Sequence, residues 1–509
     1  MTDTTAVAKY SGWQSEKSGW IGDVSGPGVA LIGAATAAAV LPLYLHSWPA
    51  AAVCLPLTGL LLALAFGRIQ GLTAAEWITL AVRHQISVAR REHLFLSGVF
   101  APRTAAGDQP LDLPGTLARL RILSAPDGLG GTLAVVHHPV DRTYTAVARI
   151  TYPELALVDE DRKEARVAGW RDVLRSLCTE EGAITRIAVH QRCLPDDGGA
   201  LREWAARHIA QDAPPSAVET LDGLMSGAGP VSTKRETYLA LTLSASRARL
   251  AVRGAGGGQR GACAVLVREL GALRGALAAA ALTVEEWLGP RELAAVIRTA
   301  YDPHIQPALS AHDALAKAPD WQGEAKGVDP ALAGPAAAEK HWNSYRHDGG
   351  HSIAYQVRGL PHEAVLATVL QPLMRPRTTA RRTLTLLYEP IGPRRARNEL
   401  SRERTKRRSA RILRARTGRD ESEDQVREDR TARSQDQARA AGQGVVRLTA
   451  LLALTVTDPE VLDTAAAELQ ADASDAGLRV RRVWGGMDEG FAVACLPLGR
   501  GLPDRRRPL

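Results

Sequence analysis

The chain has 509 residues, room for two or three folded units of about 100 to 200 residues each. Lys and Arg total 63 against 55 Asp and Glu, a formal charge of +8, and so small an excess over this length singles out no polyanionic partner. The five cysteines, Cys54, Cys178, Cys193, Cys263 and Cys495, lie far apart with no CxxC pair, which excludes a disulfide-rich scaffold and reads as isolated buried thiols in a reducing compartment.

Residues 1–23 form a short polar tail carrying Trp13 and Trp20. From Val24 to Gly67 there is no Asp, Glu, Lys or Arg. Val29–Leu45 and Pro49–Phe66 are dominated by Ala, Leu, Val and Gly and are separated by His46-Ser47-Trp48-Pro49, a helix stop with an interfacial aromatic. Segments of roughly 18 to 20 residues span the ~30 Å hydrocarbon core, so residues 24–67 are expected to form a transmembrane helical hairpin. A secretory signal would have one shorter apolar core and a basic start. Lys9 and Lys17 precede the hairpin, and Arg68, Arg83, Arg90 and Arg91 follow it, which places both termini in the cytoplasm. Trp48, Arg68, Trp77, Arg90 and Arg91 are the candidate membrane-interface residues.

Within residues 68–110, Leu72 to His93 carries Trp77, Leu80, Ala81, His84 and Val88 at helical spacing, with Arg83, Arg90 and Arg91 near its end. Such a helix suits either the membrane surface or the side of a soluble domain. From Leu111 the pattern turns to alternation, with strands expected at Leu117–Leu123, Thr132–His138 and Tyr144–Tyr152. Next in order are a helix over 158–181, a strand over Ile184–Cys193, helices at Leu201–Ile209 and Ala217–Met225 and a strand at Glu236–Ser244. Helices over Leu266–Ala281 and Val284–Ala300 complete a first α+β domain, 111–301.

Residues 302–337, rich in Pro, Gly and Ala, read as a linker. A second α+β domain, 338–509, begins with alternation near His351, a helix at His362–Met374 and a strand at Thr383–Tyr388 that Pro390 ends. It closes with a strand at Arg447–Val456, a helix at Pro459–Ala476 and strands at Leu478–Trp484 and Gly490–Leu496, in β-α-β-β order. Between its strands lies a charged helical arm, 394–441. The basic half contains Arg394, Arg395, Arg397, Arg402, Arg404, Lys406, Arg407, Arg408, Arg411, Arg414 and Arg416. These are candidates for docking a protein partner or a polyanion, either lipid or nucleic acid, although no aromatic is interleaved for base stacking.

The chemistry-bearing motifs are weak. Gly256-Gly257-Gly258-Gln259-Arg260-Gly261 fits G-x-G-x-x-G, with Glu285 and Glu286 at about the distance of a ribose-binding acid. No buried apolar strand precedes it, so it reads as a loop. G-x-x-x-x-G-K-[ST] is absent, and Leu155-Ala156-Leu157-Val158-Asp159-Glu160 reads as a helix start. His341, His347, Asp348 and His351 match no zinc spacing and read as a polar turn, while His137-His138 ends a strand with its two rings on alternate faces. No nucleophile signature occurs. The residues point to no catalytic set, no cofactor and no metal site.

The order of elements resembles a known family. The hairpin with Gly67-Arg68-Ile69-Gln70-Gly71 and Glu76-Trp77 behind it resembles PrgI-like membrane subunits of conjugative type IV secretion systems. The chain beyond that point is similar to the amino-terminal, non-ATPase half of the VirB/TraC-type conjugation ATPase. The matching places are Leu113-Pro114-Gly115, Thr143 to Val147, Trp170, Tyr301-Asp302-Pro303, Gly334-Pro335, Trp342, Tyr345, Asp348, Arg382, Glu389-Pro390 and Leu496-Pro497-Leu498-Gly499. They cover nearly the whole chain, most closely as in actinobacterial fusions of the two parts. Leu360-Pro361 stands where the family commonly has Trp-Pro.

The resemblance implies a structural subunit of a conjugative DNA-transfer apparatus in the cell membrane. It would be oligomeric among other membrane secretion subunits and would scaffold a P-loop ATPase, which the resemblance makes a separate polypeptide. The alternative is a membrane-tethered nucleic-acid-binding protein using the arm 394–416.

Overall fold

The computed structural model describes residues 26–98, 111–153, 158–196, 199–228, 233–359, 369–398, 401 and 444–501, less residues 47, 70, 71, 129, 211, 319, 376 and 378. Two apolar helices open the chain, α1 (Gly26–Leu45) and α2 (Trp48–Phe66), antiparallel neighbours across the short break at His46. A two-stranded turn, β1 (Arg68–Ile69) with β2 (Leu72–Thr73), leads into α3 (Ala74–Ala89) and the short strand β3 (Leu94–Leu96).

The rest is mixed helix and antiparallel sheet, an α+β fold. In chain order its elements are β4 (Arg121–Pro126), β5 (Thr132–His138), β6 (Thr143–Thr151), α4 (Glu160–Ser176), β7 (Ile184–Pro195), α5 (Gly199–His208) and α6 (Pro215–Ala228). Next come β8 (Thr233–Ser244), α7 (Arg249–Gly254), α8 (Gly258–Ala279), β9 (Thr283–Trp287), α9 (Pro290–Tyr301) and α10 (Gln306–Leu315). The last group is β10 (Ala337–Lys340), β11 (Tyr345–His347), β12 (Gly350–Gly359), β13 (Arg381–Ile391), β14 (Val445–Val456), α11 (Leu462–Asp475), β15 (Arg479–Arg482) and α12 (Met487–Cys495).

The strands of both sequence-level α+β regions belong to one 13-stranded sheet, ordered β3-β10-β11-β12-β14-β13-β7-β8-β6-β5-β4, with β15 on β12 and β9 on β6. The two regions meet at its middle, where β7 and β13 pair from Ile187↔Tyr388 to Cys193↔Arg382. On either side the pattern repeats. β4-β5-β6-β8-β7 with β9 off β6 corresponds strand for strand to β10-β11-β12-β14-β13 with β15 off β12. The helices correspond as well: α8 and α11 come after the inner strands, and α9 and α12 after the short outer ones.

Side-chain alternation fixes which helices share a face. Across the registered pairs, Ala354, Ala453, Thr383, Arg192 and Glu236 point to one side. There α12 lies close against Ala354 through Gly490, and Arg192 donates to the Val296 carbonyl of α9. The opposite side carries Tyr355, whose hydroxyl meets Gln470 of α11, and Leu239, Leu241 and Leu243, packed with Leu266, Leu270 and Leu273 of α8.

Polar ties lock the halves together. His347 on β11 bonds the Tyr301 carbonyl at the end of α9 and Ser352, which in turn bonds Thr455. Asp348 accepts from the backbone of Ala336 and Ala337 and pairs with Arg298 at 2.8 Å. Within the second half, Arg382, buried in β13, meets Asp472 of α11 at 2.6 Å.

Several sequence expectations need correction. Residues 302–337 are no bare linker: they hold α10 and two 3₁₀ turns, Pro303–Ile305 and Pro330–Leu332. A Cβ on Gly334 would run into the Asp112 carbonyl oxygen, so the backbones meet there as only glycine allows. The helix expected from Val284 begins instead at Pro290, with Glu292 reaching back to the Gly289 N–H, and Thr283–Trp287 is β9. The strand expected at Gly490–Leu496 is the buried helix α12. Leu117–Leu123 splits into a 3₁₀ turn, Gly115–Leu117, and β4. Finally, β13 runs through Pro390 to Ile391, which is feasible because β7 pairs only as far as Tyr388 and leaves that flank of the strand open. The helix expected at His362–Met374 falls largely outside the described residues, which show only a 3₁₀ turn at Gln371–Met374.

Candidate membrane interface

Apolar sequence makes α1 and α2 helices, and small residues let them approach. Gly28, Ala35, Ala38 and Pro42 of α1 and Cys54 and Ala65 of α2 are the buried positions among the described residues, and Thr58 bonds the Cys54 carbonyl at 2.8 Å and reaches Ala35 at 3.5 Å. The outward faces are large and apolar: Val53, Leu55, Leu60 and Phe66 stand exposed. Among the described residues α2 alone is long and apolar enough to cross a membrane, and only 6% of its most apolar window is buried. The apolar part of α1, Gly28–Pro42, is shorter.

The exit from α2 is a built turn. Gly67 donates to the Ala63 carbonyl at 2.7 Å and accepts from Ala74 at 2.8 Å, and a Cβ there would fall 2.5 Å from the Ala63 oxygen. Thr73 then starts α3 with a reciprocal capping box: its hydroxyl accepts from Glu76 N–H while the Glu76 carboxylate accepts from Thr73 N–H. At the far end Arg91 has φ 59, Arg91 N–H meets the Val88 carbonyl and Glu92 N–H meets that of Ser87, so an arginine holds the left-handed position that usually falls to glycine.

Two faces of α3 are apolar. One holds Trp77 and His84, both packed edge-on against Trp342 of the β10–β11 turn, with centroids at 5.4 and 5.5 Å. Trp342 stacks in turn on Trp484, over which the Arg482 guanidinium lies at 5.3 Å. Burial, aided by the nearby Lys340, holds the His84 pKa below its ordinary value, favouring a neutral ring in this cluster. The other face carries Ile78, Val82 and Ile86 at i, i+4, i+8, exposed by 44%, 52% and 47%, with Arg83 and Arg90 at its border.

The proposed interface residues separate accordingly. Trp48 opens α2 and is 89% exposed, at the tip of the hairpin. Arg68 lies in β1, at the other end of α2. Trp77 belongs to the domain-facing side of α3, so its ring is committed to Trp342. Arg90 and Arg91 form the C-terminal cap, with Arg90 near Glu92 at 3.8 Å. Of the arm, Arg394, Arg395 and Arg397 are described: residues 393–398 are helical, and the Arg394 N–H is held by the Glu180 carboxylate. Arg402, Arg404, Lys406, Arg407, Arg408, Arg411, Arg414 and Arg416 lie outside the described residues, as do Trp13 and Trp20.

The motif residues have structural settings. Gly256, Gly257 and Gly258 all have positive φ and turn α7 into α8, two helices, where a dinucleotide fold would need a strand. Asp159 precedes α4 as its N-cap. His347 is buried with both ring nitrogens bonded, and among the described residues no three His, Cys, Asp or Glu side chains group to hold a metal ion. His137 stacks on Tyr144, and His138 contacts Asp141.

Sequence reading missed the Ile78, Val82, Ile86 stripe because it followed the neighbouring Trp77, His84 set. The i, i+4, i+8 spacing was the available signal. No protein-family model matches the chain, and no characterised protein aligns with it.

Proposed function

We propose that the chain is a membrane-anchored scaffold of a type IV secretion-like DNA-transfer apparatus. The α1–α2 hairpin crosses the cell membrane twice with both flanks cytoplasmic, and the sheet domain docks a P-loop ATPase at the inner face. The observation that carries the anchoring is the nearly uncovered surface of α2, whose exposed Leu, Val and Phe side chains need an apolar solvent. Support for a second span comes from α1, which lies along α2 over the small-residue contact. Support for the ATPase partner comes from the family resemblance.

The action would be tethering. Holding a motor beside its channel raises its effective concentration there and asks no chemistry of the tether. The test is capture with the full chain in detergent. Retention of a P-loop ATPase, with no DNA bound at low salt, supports the scaffold. DNA binding that falls steeply with salt and disappears when Arg404, Lys406, Arg407, Arg408 and Arg411 are neutralised would replace it with a nucleic-acid tether.

A further inference from the structure

We propose that α3 lies in the plane of the membrane surface, burying Ile78, Val82 and Ile86 at the boundary between acyl chains and headgroups, with Arg83 and Arg90 on anionic lipid phosphates. The inference rests on the reading that α2 sits in a bilayer. Three observations beyond that reading point to lipid.

The stripe lies on a helix that begins against the end of the uncovered one. Only residues 67–73 separate Phe66 from Ala74, and the Gly67 carbonyl is bonded directly to Ala74 N–H, so α3 starts against the end of α2. Ala65, Ala74 and Ala75 are buried at that corner. An apolar surface that begins where a membrane helix ends meets the bilayer first.

Among the described residues the stripe also has no occupant. The opposite side of α3 is already taken by Trp342, which holds the helix against the sheet domain and leaves Ile78, Val82 and Ile86 facing outward. The helix is thus oriented by one apolar face while presenting another.

The charges complement a lipid surface. Arg83 and Arg90, seven residues apart, border the stripe on one flank, and long arginine stems can lie along apolar surface while their heads reach phosphate. An acidic protein partner would be served by the same arginines but would leave the aliphatic row, on a helix that starts against the end of α2, without a reason.

The experiment uses the full chain reconstituted in vesicles of neutral lipid alone or with an anionic lipid. The native cysteines of the described structure are all buried, so Val82→Cys can carry an environment-sensitive fluorophore, with Ser124→Cys on the exposed edge strand β4 as the comparison. The Val82 label should shift to the blue and lose most of its emission to shallow nitroxide lipids, while the Ser124 label does neither. The shift should be larger with anionic lipid, and Arg83→Gln with Arg90→Gln should return it to the neutral-lipid value; an unchanged shift would overturn the headgroup contact. Vesicle-bound chain with an unquenched Val82 label overturns the inference alone, including the case where the label is shielded from both lipid quencher and aqueous iodide, which would mean a protein partner. Chain that does not float with vesicles at all overturns the anchoring reading and this inference with it.

Discussion

The indole of Trp77 meets that of Trp342 edge to face, with ring centroids 5.4 Å apart. Through that contact the helix nearest the apolar hairpin is seated on the sheet, so the hairpin and the domain are joined by packing as well as by chain. Trp342 touches Trp77, His84 and Trp484 at once. Aromatic pairs contribute about 0.5–1.5 kcal/mol each beyond their buried area. Trp342→Ala should therefore release α3 while the sheet stays folded. Limited tryptic cleavage at Arg83 and Arg90 should accelerate roughly tenfold or more, and an unchanged rate would show that α3 is held by something else.

Three arginines converge on one buried carboxylate. Asp472 takes Arg382 at 2.6 Å, Arg375 at 2.9 Å and Arg377 at 3.6 Å. Removing one partner of a buried pair leaves an uncompensated charge, at a cost of about 3–5 kcal/mol. Asp472→Asn should lower the urea midpoint accordingly with the slope unchanged, whereas Arg382→Met combined with Asp472→Leu should recover much of the loss. Equal destabilisation by the single and double variants would argue against the pair.

Acid should weaken the domain earlier than carboxylates alone would. Burial pushes the pKa of His190 and of His347 down to about 4, so both are neutral in the fold but take up a proton near pH 6.5 once unfolded. Below pH 6.5 the unfolded chain binds more protons. Stability then falls as pH drops toward 4, by about 1 kcal/mol per pH unit for each histidine. For Glu236, burial alone would raise the pKa, but Arg192, Lys234, Tyr238 and Arg149 outweigh it and hold the group at about 2. Its contribution is intact above 4.5 and is lost only as pH falls from there toward 2. Thermal midpoints should therefore drop between pH 7.5 and 5, and the drop should shrink in His347→Gln. A flat profile over that range would contradict the buried neutral histidines.

Arg91 holds a left-handed backbone, φ 59, at the end of α3. That conformation costs a side-chain-bearing residue roughly 1–2 kcal/mol that glycine does not incur. Arg91→Gly should leave α3 intact and stabilise its C-terminal turn, seen as slower amide exchange at Glu92, whose N–H closes the cap on Ser87. Faster exchange there would mean that the arginine side chain contributes more than its backbone costs.

Much of the fold was legible where one periodicity held over a whole element. Thr132–His138 is a strand with the expected ends, and the apolar runs before and after Trp48 are helices. Errors fell where a segment is buried on all sides or where local signals compete. Gly490–Leu496 is apolar and buried throughout because the sheet and the Leu111–Leu117 segment enclose it, so no period survives there to tell helix from strand. Glu285 and Glu286 look like first-turn acids, yet Gly289-Pro290 with Glu292 is the stronger start signal. The joining of the two halves is set by β7 against β13, strands some 200 residues apart in sequence, and no local pattern specifies that partner. Beside the apolar hairpin, α3 was legible as amphipathic, but its two apolar faces could be told apart only once Trp342 was seen to occupy one.

The most direct measurement is fractionation of cells making the full chain. If α2 and its partner α1 sit in lipid, the protein stays with membranes through alkaline carbonate and needs detergent for extraction. Recovery of the full chain as a soluble, monodisperse species without detergent would contradict this, and the proposed tether with it.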